Sequence, residues 1–149
     1  MMIVQVIGAF FAVCAVSITY GVSRRFLFFS GFAGAFSWMI YLLMLKVEAN
    51  EILGVFVATL AAALISNIFA RILKAPVTTF LIPSILPTVP GVGMYRIVYY
   101  MIIGDMDTAG YYLTYVLQIA GMIAIGIFIM ETFFRTFVKK EYLQKKRNI

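Results

Sequence analysis

The residues with chemical potential lie close together. Pro83, Pro87, Pro90, Gly91, Gly93, Tyr95 and Arg96 fall within the stretch Ala75–Tyr95 and the residue after it. All four prolines of the chain are in that stretch, which carries no charge. Each proline inside a helix removes a backbone donor and clashes with the preceding turn. Broken backbone at membrane depth is tolerated only where protein buries it or a cavity borders it. A half-helix starting near Gly91–Gly93 would present free N–H groups and about half a positive charge to an anion. A carboxylate is the natural ligand for such a terminus. Arg96 lies about 9 Å beyond Pro90 along a helix rising 1.5 Å per residue, where a guanidinium must pair, snorkel or face water.

The rest of the composition narrows the chemistry. The 149 residues are 64% hydrophobic and only 12% charged, with mean hydropathy +1.02. Soluble domains carry about 25% charged residues, so the chain reads as an integral membrane protein. With no His and only Cys14, a histidine triad and a His or multi-Cys metal site are excluded. No P-loop or zinc-protease motif is present. The expectation is no enzyme, no metal and no cofactor. The net charge of +6 is read as topology and contact with anionic lipid, not as nucleic-acid binding.

Charges divide the chain into spans at about 2–23, 26–45, 52–70, 75–104 and 108–130, each near or above the roughly 20 residues a helix needs to cross. The fold class expected is all-α: a helical membrane bundle of five segments whose fourth is broken by Pro and Gly. The midpoint of the fourth lies close to Pro90, which sets the break near mid-membrane. Val89-Pro90-Gly91-Val92 fits a type II turn, with glycine supplying a positive φ. Five crossings place Arg24/Arg25, Arg71/Lys74 and the basic tail 139–149 on one side of the membrane. Since positive residues favour the cytoplasm, the N-terminus is expected outside and the C-terminus inside. Residues 1–138 form the membrane domain.

Small residues recur every four positions in the third span: Gly54, Ala58, Ala62, Ser66 and Ala70. Such ridges let backbones approach closely where lipid supplies no hydrophobic drive. They predict tight contacts within the chain or with another subunit, including a second copy. Asn67 and Gln118 are candidate polar lining residues, with interhelical hydrogen bonding the simpler role. Tyr99, Tyr100, Tyr111 and Tyr112 read as an aromatic belt at the outer interface. No carboxylate lies deep in a span, which argues against a self-contained proton pump.

Three motifs carry a family likeness: Tyr20-Gly21-Val22-x-x-Arg25, Gly31-x-x-Gly34, and Pro83-x(6)-Pro90-Gly91-x-x-x-Tyr95. On these the chain resembles the threonine/serine exporter (ThrE) family, specifically its small separate membrane subunit of the YjjB-like type. The resemblance runs to about Gly104; the last span and tail match in general character. It implies export of small amino acids or of dicarboxylates such as succinate across a bacterial inner membrane. It also implies a transporter of two membrane halves, so this chain would need a larger partner subunit of the same family. The alternative is a non-transporting assembly or regulatory subunit that packs against another membrane complex.

Overall fold

The computed structural model describes the backbone of residues 2–147 and the side chains of residues 2–136. The charge-free runs become helices: α1 Met2–Thr19, α2 Arg24–Lys46, α3 Glu51–Leu73, α4 Thr78–Ile85, α5 Gly91–Ile102 and α6 Met106–Arg147. No strand occurs among the described residues. The side chains of the expected basic tail, 139–149, lie outside those described. Four helices are long and apolar enough to cross a membrane, and α4 and α5, bent by 55° at the break, pass the same test as a pair. The chain is an all-helical integral membrane bundle.

Local chemistry sets the helix ends. Asn50 caps α3 by accepting the Ile52 amide at 3.0 Å. Lys74 closes it in the left-handed conformation (φ 50°), with the Ala75 amide reaching back to the Ala70 carbonyl. That closure is a Schellman stop, and Pro76 prevents continuation. Asp105 caps α6 by accepting the Thr108 amide at 3.0 Å.

Helix directions follow from side-chain neighbours. α2 runs antiparallel to α3: Tyr41 meets Glu51 at the α3 start, and Phe26 meets Ala70 near its end. α6 runs parallel to α3. Tyr115 lies beside Glu51, Gly126 lies against Thr59, and Arg71 donates to the Phe134 carbonyl. Both helices therefore begin at the same end of the bundle. The α4–α5 segment therefore carries the chain from the end of α3 back to that starting end. One consequence is that Arg24, Arg25, Arg71, Lys74 and Arg135 gather at a single end.

The small-residue ridge of α3 is buried within this chain. Tyr41 of α2 packs over Gly54. Ser37 of α2 donates to the Ala58 carbonyl at 3.0 Å, and Ser66 meets Ser84 of α4 at 3.4 Å. The ridge thus seats α2 and α4. Asn67 is also buried there, but its amide bonds the Ala63 carbonyl of its own helix at 2.9 Å. Among the described residues, every buried side-chain polar atom has a partner, as burial without water requires.

Candidate functional site

The break between α4 and α5 is built by three prolines whose orphaned carbonyls are each accounted for. Pro83 lies inside α4 and cannot donate to Thr79. The Ser30 hydroxyl of α2 donates to that carbonyl instead, at 3.3 Å. Pro87 leaves the Pro83 carbonyl, which accepts from the Leu86 amide. Pro90 leaves the Leu86 carbonyl, which accepts from Val89 at 3.1 Å. The last two bonds tighten residues Leu86–Thr88 into a 3-10 turn. The chain then bends by 55° into α5.

The turn at the bend differs from the type II expectation. Pro90 has φ −78° and ψ 60°, and the Gly91 amide bonds the Val89 carbonyl at 2.8 Å. This is an inverse γ-turn. Gly91 has no positive φ; it is the first residue of α5. Proline's fixed φ suits either turn, and ψ of Pro90 selects between them. With no side-chain cap on α5, the amides of Val92 and Gly93 are left as first-turn donors.

The break has neighbours on several helices: Leu86 and Pro87 border a depression with Gly8, Ala9, Ala12 and Val13 of α1 and Trp38 of α2. Pro87–Gly93 share a cleft with Glu51 and Val55, at the first turn of α3. Residues 75–77 precede α4, and α5 extends past the α3 start along α6, where Arg96 meets Tyr112 and Tyr100 stacks on Tyr112.

The cleft has a volume of about 500 Å³. Its floor is the break itself: Pro87, Thr88, Val89, Pro90, Gly91 and Gly93. Trp38 and Tyr41 of α2 form one wall; Tyr111, Tyr112 and Tyr115 of α6 form another. Two charged side chains face it, Glu51 of α3 and Arg96 of α5. Tyr41 donates to Glu51 Oε1 at 2.9 Å. Arg96 donates to the Tyr112 hydroxyl at 2.6 Å and lies 5.1 Å from its ring centroid.

Of the residues singled out from sequence, Pro87, Pro90, Gly91, Gly93 and Arg96 meet at this cleft. Four others are placed apart. Pro83 is fully buried in the α4 core and shapes the approach to the break. Tyr95 is 67% exposed and stacks on Tyr99 on the outside of α5. Asn67 is in the α3 interior, and Gln118 borders a different, shallow depression with Asn50 and Leu117. The physical reason is helical phase: Tyr95 and Arg96 are 100° apart on α5, so one faces out when the other faces in.

Sequence reasoning missed Trp38, Tyr41, Glu51 and Tyr115. A signal existed in the i,i+3 pair Trp38/Tyr41 and the i,i+4 pair Tyr111/Tyr115, each one face of a helix. Tyr111 and Tyr112, expected in an interfacial belt, also line the cleft. Glu51 read as a boundary charge; only the parallel packing of α6 on α3 turns it into a cleft residue.

No curated protein and no solved structure matches the chain. The family model described as "Threonine/Serine exporter, ThrE" matches residues 5–133, a range that takes in the break, the cleft and nearly all of the membrane bundle. Apolar crossing helices, a proline-broken segment and a polar cleft at its bend accord with transport, and by that match the chain belongs to the threonine/serine exporter family.

Proposed function

We propose that this chain is the smaller membrane subunit of a two-component secondary exporter, acting on small carboxylate-bearing metabolites. The substrates are threonine/serine-type amino acids or dicarboxylates such as succinate. A larger membrane subunit of the same family completes the transporter in a bacterial inner membrane. The observation that carries this reading is the cleft at the break, where the uncapped α5 terminus and Arg96 face one polar volume. Backbone N–H groups and a guanidinium recognise a carboxylate by direction and charge together. Half-helices meeting at a bend are a common transporter device for such ligands. In this reading Pro87, Pro90, Gly91 and Gly93 form the site, Pro83 sets the angle of α4, and Tyr95 faces lipid or the partner.

The single basic end of the bundle supports a cytoplasmic C-terminus and an outer N-terminus. The chemistry proposed is binding and release without bond-making, and no cofactor takes part. The test is co-purification with the larger family member, then efflux of threonine, serine and succinate from proteoliposomes. The expected result is efflux that requires both chains. Efflux by this chain alone refutes the two-component arrangement, and efflux of none of the three by the pair refutes the exporter reading.

A further inference from the structure

Two opposite charges share the cleft without pairing to each other. The Glu51 carboxylate is held by the Tyr41 hydroxyl at 2.9 Å, and the Tyr115 phenol lies against the same carboxylate. Arg96, across the cleft on α5, is held by the Tyr112 hydroxyl at 2.6 Å. Glu51 and Arg96 are both exposed, and among the described residues they form no ion pair with each other. Each charge is instead held by tyrosines of the neighbouring helices: Tyr41 and Tyr115 on Glu51, and Tyr112 on Arg96. The result is a negative and a positive site facing one volume of about 500 Å³. That volume accommodates a metabolite of a few carbons.

We propose that Glu51 is the specificity-determining residue of the cleft, binding the ammonium of a small α-amino acid whose carboxylate lies toward Arg96. The inference rests on the carboxylate-binding reading above and narrows it to zwitterions. A zwitterion carries separated charges of the same two signs and fits with both ends paired. The faces of Trp38, Tyr41 and Tyr115 add cation–π attraction for the ammonium. A dicarboxylate brings a second negative charge toward Glu51, and like-charge juxtaposition is an effective means of rejection. Glu51 thus separates the two substrate classes that the family likeness alone leaves together.

The chain carries its own reporter, because its single tryptophan is Trp38 and Trp38 lines the cleft. The experiment titrates the full-length chain in lipid nanodiscs with L-threonine, 3-hydroxybutyrate (threonine without its amino group) and succinate, reading Trp38 emission. The wild type is expected to bind threonine at least about tenfold more tightly than the other two. Glu51→Gln retains an acceptor for Tyr41 while removing the charge. It is expected to reduce the threonine preference to about threefold or less and to admit succinate. A Glu51→Gln protein that keeps the preference, or weakens all three ligands by one common factor, overturns the role of Glu51. Arg96→Gln is expected to weaken all three, since each carries a carboxylate. If it weakens none while Glu51→Gln behaves as stated, the Arg96 half of the cleft reading fails and Glu51 stands. A wild type with no saturable response to any ligand overturns the cleft reading and this inference with it.

Discussion

The Ser30 hydroxyl on α2 donates to the Thr79 carbonyl on α4 at 3.3 Å, the carbonyl that Pro83 leaves without its helical donor. One side chain on a neighbouring helix thereby allows a proline inside a buried α4. Ser30→Ala is expected to destabilise the bundle by about 1 kcal/mol. In a Pro83→Ala background the same change should cost less, because the residue at 83 can then donate to Thr79 itself. Unfolding of the four proteins in mixed micelles forms the double-mutant cycle. Equal costs in both backgrounds contradict the account.

Gly91 and Gly93 are two residues apart and do different work. A Cβ on Gly91 meets nothing within 4 Å, whereas one on Gly93 falls 2.7 Å from Val116 Cγ2 of α6. Gly93→Val is expected to push α5 off α6 and cost about 1–3 kcal/mol. Gly91→Val is expected to keep fold, insertion and protein level while lowering export by on the order of tenfold to a hundredfold. Normal export by Gly91→Val at normal protein level removes the turn from the site.

Tyr112 holds Arg96 by a hydrogen bond and by its ring. Tyr112→Phe keeps the ring and removes the hydroxyl. It is expected to raise KM for export by about three- to tenfold with kcat nearly unchanged, the pattern of lost positioning in substrate binding. Arg96→Gln is expected to cost more than Tyr112→Phe. The reverse order in efflux kinetics refutes the anchoring role.

Asp105, between α5 and α6, has its carboxyl held below the usual carboxylate range by hydrogen bonds from the Thr108 side chain and backbone, against a small opposing effect of burial. A depressed folded value means the capping contribution is complete above the ordinary carboxylate range and is lost as pH falls through the lowered value. Amide exchange at the start of α6 is expected to speed up in acid. Asp105→Asn, a competent cap without a titrating group, should abolish that dependence. An unchanged acid response in the variant assigns it to another group.

The signs of all-helical membrane structure are local ones: apolar runs and charged boundaries. These depend on each residue's own solvation and its near neighbours, so they can be read one segment at a time. The proline break was legible for the same reason, since a missing N–H is a property of the residue. So was the meeting of Pro87, Pro90, Gly91 and Gly93, which adjoin in the chain. The turn type was not, because ψ of Pro90 depends on how α5 docks.

What only tertiary structure decided is which elements meet the break. The parallel course of α6 along α3 brings Glu51, Tyr115 and Tyr112 together, though they are far apart in sequence. Helical phase sends Tyr95 outward and Arg96 inward, and Gln118 to another face. Pairing across helices depends on the direction and rotation of whole elements, set by packing such as Gly126 on Thr59. No single segment of sequence carries that information. The sequence by itself determined that the chain crosses a membrane and breaks at its prolines; the packing of α6 on α3 decided what faces the break.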